Sequence, residues 1–210
     1  MSLDSFPPSE MGPEPPLRKI SDARTLRALA HPVRIALVEQ LTVFGPMTAT
    51  EVGEKIGESP TTCSFHLRQL AKYGFVEEAG GGKGRARPWR MTSIGMHIST
   101  ERGDPEAQLA SNAVTRLFRE RQLERYRAWL ETRSSYPGQW QRAAGESDFL
   151  FFLTAQELQE LNAELCALLV PRLRERLADA SLRPPGAVPV EMLVWSYPLA
   201  LPGEGDEGGR

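Results

Sequence analysis

Residues 59–76, SPTTCSFHLRQLAKYGFV, constrain the fold of this chain more than any other segment. A serine followed by a proline at 59–60 is a preferred way to begin a helix. Gly74 is the kind of residue that ends one in a left-handed conformation. At 100° per residue, two leucines between these limits fall within about 40° of a cysteine, so the three side chains predict one buried stripe. The members of this stripe are Cys63, Leu67 and Leu70.

The opposite side of this predicted helix carries small hydroxyls, one phenylalanine and two bases. Short hydroxyls allow close approach to phosphates and base edges, and an arginine can bind a guanine edge or a phosphate. An exposed phenylalanine would pack on a thymine methyl group. The pattern predicts a recognition helix for the DNA major groove, and the alternative is the solvated face of an ordinary helical bundle. The predicted contact residues are Thr61, Thr62, Ser64, Phe65, Arg68 and Lys72.

A glycine-rich basic loop follows, GGGKGRARPWR at residues 80–90. Apolar segments at 75–79 and 88–92 predict two strands of a hairpin with this loop at its tip. Flexible backbone with cations suits phosphate contact or insertion into a minor groove, so Lys83, Arg85 and Arg87 are predicted DNA contacts. A mobile surface hairpin is the alternative. Trp89 is predicted to anchor the hairpin to the core.

The segment before the recognition helix predicts three further helices. Ser21 can cap the first, His31-Pro32 separates the first from the second, and Thr48 or Thr50 can cap the third. Together with the following helix and hairpin, this order of elements predicts a winged helix-turn-helix.

Three stretches together resemble the ArsR-type winged-helix transcription regulators of bacteria: residues 26–41, 59–78 and 84–95. In that family the pattern Ser-x-His-Leu-x-x-Leu marks the recognition helix, and its residues in this chain are Ser64, His66, Leu67 and Leu70. The resemblance covers residues 17 to about 98. It implies a homodimer that binds a near-palindromic double-stranded DNA operator and represses or regulates transcription. His66 within the pattern is interpreted as packed at a helix seam, with a phosphate or base contact as the alternative.

The second half of the chain predicts two helices and two strands. Asp104-Pro105 begins a long helix to about residue 133, interpreted as the dimerisation helix. Thr154-x-x-Glu157 is a capping box for a helix to about residue 179, and apolar segments at 148–153 and 188–195 predict strands on either side. This strand-helix-strand module looks like that of the longer actinobacterial members. The helix is predicted to turn seven leucines inward: Leu158, Leu161, Leu165, Leu168, Leu169, Leu173 and Leu177.

Charge is distributed unevenly between the predicted domains. Residues 17–103 contain 13 Lys+Arg and 8 Asp+Glu, whereas residues 104–210 contain 12 and 16, and the whole chain has a net charge of −2. A basic module joined to an acidic one is typical of a DNA-binding domain with a separate partner domain. The predicted organisation is a disordered 1–16, a winged helix at 17–103, a dimerisation and effector domain at 104–201 and a loose 202–210. The fold class is mainly α with small β.

The sequence lacks the residue patterns that several other functions would need. Cys63 and Cys166 have no cysteine or histidine partners at metal-ligand spacing, and only His97 and Glu101 stand four apart, so no metal or other cofactor is expected. No catalytic triad or phosphate loop is present, and an enzyme is not expected. Without a signal peptide or a membrane-length apolar run, a cytoplasmic protein is expected, with no membrane partner.

Two further functions remain open beside the regulator. The aromatic residues of the second half could line a pocket for a small apolar effector, although filling a core or a dimer seam is the preferred interpretation. A winged helix could also serve as a protein-protein adaptor through Phe65. The aromatic residues in question are Trp140, Phe149, Phe151, Phe152, Trp195 and Tyr197.

Overall fold

The computed structural model describes residues 17–80, 87–93, 95–98 and 104–200. Helices dominate this part of the chain, with two small two-stranded sheets. The mainly helical α+β winged-helix class is confirmed. The elements are β1 (Leu17–Ile20), α1 (Ala23–Leu29), α2 (Pro32–Phe44), α3 (Ala49–Ile56), α4 (Pro60–Lys72), β2 (Val76–Glu78), β3 (Trp89–Met91), β4 (Gly95–Ile98), α5 (Pro105–Thr132), α6 (Gly138–Ala143) and α7 (Ala155–Ala178).

One hydrophobic core joins α1 to α4, both sheets and the start of α5. Fully burying a leucine, isoleucine or phenylalanine contributes about 1.5–3 kcal/mol each, so this cluster provides most of the apolar stabilisation that fixes α4. Its largest fully buried members are Ile20, Leu26, Leu29, Ile35, Leu37, Val52, Leu67, Leu70, Phe75, Val76 and Val114.

The helix starts are set by side-chain caps. Thr48 forms a capping box with Glu51, in which the Glu51 Oε2 atom accepts from the Thr48 backbone N–H at 2.7 Å. Such caps satisfy N–H groups that have no partner inside the helix. The expected cap of the first helix is wrong by one residue, because Asp22 rather than Ser21 accepts from the Thr25 N–H at 2.8 Å.

One of the two sheets was predicted from the sequence and the other was not. Strands β2 and β3 form the predicted antiparallel hairpin, with Val76 opposite Met91. Trp89 packs against the core as predicted and bridges to Met47. The pairing of β1 with β4 is parallel and was not predicted. It brings residues 78 positions apart into register, and nothing local in either segment indicates that partner.

Helix α5 leaves the core along its own length. Ala107 and Val114 in its first part are fully buried against the core, and Asp104 caps it by accepting from two backbone N–H groups. Farther along, Arg121 and Arg125 form salt bridges at 2.8 and 2.9 Å with Glu39 of α2. The helix is therefore fixed to the helix-turn-helix region at two places.

The predicted strand-helix-strand module is wrong in its strands. Helix α7 forms with its capping box at Thr154 as expected, but within the described residues neither 148–153 nor 188–195 pairs with a strand. A β-strand requires a hydrogen-bonded neighbour, whereas alternation of apolar residues indicates only that one face is to be covered. The leucines predicted to turn inward are half-buried at best where described, and Leu168 is exposed.

Among the helices of the described ranges, none has the length and apolar character that crossing a membrane would need. The segments 1–16 and 202–210, for which disorder was predicted, lie outside the described residues.

Candidate nucleic-acid interface

Helix α4 is held against the protein by one side only. Cys63, Leu67 and Leu70 are fully buried, which confirms the predicted stripe, and His66 is buried beside them. Ser59 caps the helix by accepting from the Thr62 N–H at 3.0 Å. The opposite side of α4 is therefore presented outward from a fixed base.

The outward side carries the predicted DNA-contacting residues in two groups. Thr61, Phe65, Arg68 and Lys72 are exposed, with Phe65 at 53 %. Thr62 and Ser64 are half-buried at its edges. No acidic residue occurs within α4. The exposed face is consequently basic, with one large apolar side chain near its centre.

Two of these residues already have contacts within the helix. The Thr62 hydroxyl lies 2.8 Å from the Ser59 hydroxyl, so it belongs to the N-terminal cap. The Arg68 Nε atom donates to the Ser64 carbonyl at 3.1 Å, which leaves the guanidinium at the surface while positioning its stem. An arginine held in this way has lost part of its rotamer freedom before it meets a ligand.

The turn between α3 and α4 depends on a close approach of two backbones. A Cβ atom added to Gly53 would lie 2.6 Å from the Glu58 carbonyl oxygen and 3.4 Å from the Cys63 Sγ atom. The Glu58 N–H donates to the Gly53 carbonyl at 3.0 Å. Gly57 adopts the left-handed conformation with φ +74°, which glycine reaches without steric cost. The angle between α3 and α4 is set by this glycine-dependent turn.

The end of α4 is fixed by backbone and by Arg18. The Gly74 and Phe75 N–H groups donate to the Ala71 and Leu70 carbonyls, which is the Schellman arrangement around a left-handed Gly74. Arg18 of β1 donates to the Tyr73 carbonyl, and its guanidinium carbon lies 4.3 Å from the centre of the Phe75 ring. Burial lowers the pKa of Arg18 from its ordinary value, although nearby Asp22 opposes this effect.

A histidine pair joins the start of α2 to α4. The rings of His31 and His66 lie 4.4 Å apart between centroids, and the His31 Nδ1 atom accepts from the Val33 N–H at 3.2 Å. Burial lowers the pKa of both histidines, and the nearby positive charge of Arg34 lowers it further. A neutral His31 ring is required because a protonated Nδ1 atom could not accept this bond.

The structure describes only part of the predicted basic hairpin. Lys83 and Arg85 lie outside the described residues, as does Glu101 of the weak His97/Glu101 metal pattern. Arg87 is exposed, and its Nη1 atom donates to the Glu78 carboxylate at 2.7 Å. That hydrogen bond raises the pKa of Arg87. The carboxylate reduces the positive charge that Arg87 can offer to a phosphate.

Sequence reasoning missed the residues that hold α4 in place. Arg18 reaches the end of α4 from a strand 55 residues away. Arg34 donates to the Ala28 carbonyl at the end of α1, next to the histidine pair. Basic residues in a DNA-binding module suggest phosphate contacts, and no local pattern distinguishes an arginine that serves the fold instead.

Residues 29–79 match the sequence model of a family described as a helix-turn-helix domain. The match covers about a quarter of the chain. The matched range begins at the last residue of α1 and includes α2, α3, α4 and β2. Helix-turn-helix domains place their second helix in the DNA major groove, so the match supports a DNA-binding role in transcription regulation for the α3–α4 pair.

No curated protein matches the chain. Among solved structures, a MarR family regulator from Neisseria meningitidis is similar at 15 % sequence identity, over 71 % of this chain and 79 % of that chain, with a TM-score of 0.30. At that TM-score the likeness supports no conclusion about function.

Proposed function

We propose that this protein is a cytoplasmic, homodimeric transcription regulator of the ArsR type that binds a near-palindromic operator and acts as a repressor. The observation that carries this proposal is the division of α4 into two sides. One side is fully buried through Cys63, Leu67 and Leu70, while the other exposes Thr61, Phe65, Arg68 and Lys72. A helix supported from behind, with bases and a hydroxyl in front, suits the major groove.

In this proposal the residues of α4 have separate roles. Arg68 reads a base edge, Phe65 packs on a thymine methyl group, and Thr61 and Lys72 contact phosphates at the two ends of the helix. Thr62 and Ser64 approach the DNA backbone from the edges of the exposed helix face. The hairpin supplies phosphate contacts through Lys83, Arg85 and Arg87, with Arg87 exchanging its Glu78 partner for a phosphate.

In the proposed dimer, the distance between the two recognition helices is fixed. Half-sites read by such a dimer are about 34–36 Å apart, one turn of DNA. Helix α5 extends from the core of the DNA-binding region and is therefore proposed to hold the two copies at that separation.

The test is binding to DNA from the protein's own promoter, measured by fluorescence anisotropy over a salt series. With 6–10 phosphate contacts, affinity falls by about 10³–10⁵ between 50 and 200 mM salt. An affinity that does not change with salt contradicts the proposal. Arg68→Ala is expected to weaken binding by about 1–3 kcal/mol and to relax preference at one base position.

The matched control is Arg142→Ala, which removes an exposed arginine from α6, far along the chain from the recognition helix. Operator binding by this variant is expected to equal that of the wild type. Equal losses in both variants would show that α4 provides only general positive charge.

A second candidate function has one observation in its favour. A cleft of about 390 Å³ opens between α5, α7 and the segment after residue 193, and it contains Trp195 and Tyr197 from the predicted aromatic set. Arg119, Asn162 and Ser196 also line it. A regulator that senses a small amphipathic effector fits this lining better than the purely apolar effector expected from the sequence. A thermal-shift screen with the full chain tests this candidate, and effector-dependent release of the operator would support it.

A further inference from the structure

The segment 188–195 has one side attached to the protein and one side uncovered. Glu191 accepts two hydrogen bonds from Arg125 at 2.6 and 3.1 Å, and the Arg119 guanidinium carbon lies 5.1 Å from the centre of the Trp195 ring. Both contacts come from α5 and both involve odd-numbered positions of the segment. In an extended chain, residues two apart share a face. The attached side therefore faces α5.

The even-numbered side of the same segment is apolar throughout. Its four residues expose between 51 and 70 % of their surface. Four apolar side chains at a spacing of two form the face that a strand turns towards a core. These residues are Val188, Val190, Met192 and Val194, of which Val194 also lines the cleft beside Arg119.

The segment 148–153, DFLFFL, is apolar on both sides. Phe149 and Phe151 stack with their ring centres 6.1 Å apart, and Phe152 on the alternate side is completely exposed. The three phenylalanines expose 70, 62 and 107 % of their surface. At about 200 Å² for a whole aromatic side chain, they offer roughly 500 Å², more than half of the ~800 Å² that one partner contributes to a stable interface.

Charge indicates what covers these surfaces. The part of α5 at residues 115–127 holds five arginines and two glutamates, and the part of α7 at residues 155–171 holds three glutamates and no base. Within the described ranges no salt bridge joins α5 to α7. Arg121 and Arg125 pair with Glu39 and Glu191. In a two-fold arrangement, the acidic first part of α7 in one copy would face the other arginines of α5 in its partner, and the reverse.

We propose that two copies of this chain exchange strands, with residues 148–153 of each copy pairing beside residues 188–195 of the other. The exchange covers the phenylalanines and the even-numbered face of 188–195. It also gives both segments the strand partners that they lack within the described residues of one chain. Residues 188–195 provide the fixed edge because α5 holds them, and residues 148–153 provide the strand that is added. This proposal rests on the homodimer of the proposed function and states how that dimer is built.

The first experiment is sedimentation equilibrium of full-length variants. The wild type is expected at twice the chain mass of 23.3 kDa. Phe152→Asp and Met192→Lys are each expected to raise the dimer dissociation constant at least about tenfold, because a charge would be buried in an apolar seam. Circular dichroism checks that both variants fold. The control is Leu182→Asp, an exposed leucine outside α5 and outside both segments, which is expected to keep the wild-type mass.

The second experiment mixes the two weakened variants. In a reciprocal exchange, one of the two contact sites pairs the unaltered Phe152 with the unaltered Met192, and the other pairs Asp with Lys. The mixture is therefore expected to recover the dimer mass. If residues 148–153 contacted residues 188–195 of the same chain instead, each variant would keep its own mismatch in the mixture. The mixture would then stay monomeric, and this result overturns the exchange.

The outcomes separate this inference from the function on which it rests. A dimeric wild type whose Phe152→Asp and Met192→Lys variants also remain dimeric overturns the strand exchange and leaves the homodimeric regulator intact. A monomeric wild type that binds its operator overturns the homodimer as well. A wild-type dimer without operator binding contradicts the regulator, while the mixing experiment still decides how the dimer forms.

Discussion

Adding a single methyl group at Gly53 tests whether the helix-turn-helix geometry depends on one close approach. The Cβ atom of Gly53→Ala would lie 2.6 Å from the Glu58 carbonyl oxygen. That oxygen belongs to backbone in the turn before α4, so it cannot move like the end of a flexible side chain. Overpacking of this kind costs about 1–3 kcal/mol, and alanine recovers up to about 1 kcal/mol in helix propensity.

The net expectation is a loss of about 1–2 kcal/mol in the free energy of unfolding. Urea denaturation at equilibrium measures it, and operator binding is expected to fall as well because α4 shifts relative to α3. Gly145→Ala is the control, since a Cβ atom there has no heavy atom within 4 Å. A Gly53→Ala variant as stable as this control would refute the reasoning, because the turn would then be shown to yield without cost.

Three further outcomes are expected. Burial lowers the pKa of His31 and His66, so both histidines bind protons more tightly in the unfolded chain than in the folded one. The free energy of unfolding is therefore expected to keep its full value above about pH 6.5 and to fall as the pH decreases. Urea midpoints at about pH 7.5 and 5.5 measure this fall, and His66→Gln is expected to reduce it. Arg18→Met is expected to lose about 1–3 kcal/mol in urea denaturation through its bond to the Tyr73 carbonyl, whereas an equal loss in the exposed Arg142→Met would contradict that reason. Burial raises the pKa of the Cys63 thiol, so a thiol reagent is expected to react with it only after unfolding, and rapid labelling of the folded chain at Cys63 would disprove this.

The parts of the fold that follow local rules were predictable. Ser59, Thr154 and Gly74 mark helix ends by hydrogen bonds that each residue type makes within a few positions. The buried stripe of α4 follows from helical periodicity alone. The predicted outward residues of α4 lie on one surface, while their contacts with DNA stay predictions.

The parts that depend on distant partners were not predictable. The parallel pairing of β1 with β4 joins two four-residue segments far apart in the sequence, and neither has a pattern that selects the other. The alternation at 188–195 indicated a strand because it shows an apolar face. It cannot show whether the same chain covers that face, and the described residues leave it open. The pattern of apolar residues shows which face of a segment must be buried. Which other segment covers that face depends on the tertiary and quaternary structure.

The carboxylate of Glu39 helps to fix the direction of α5. Its side chain is only 15 % exposed and pairs with both Arg121 and Arg125, about halfway along a helix that is already rooted in the core at Val114. The part of α5 from Val114 to Thr132 is about 27 Å long, so a tilt of about five degrees at Val114 displaces the far end by roughly 2 Å. The ion pairs oppose that tilt, and in the proposed homodimer their loss would change the spacing between the two recognition helices without altering either helix.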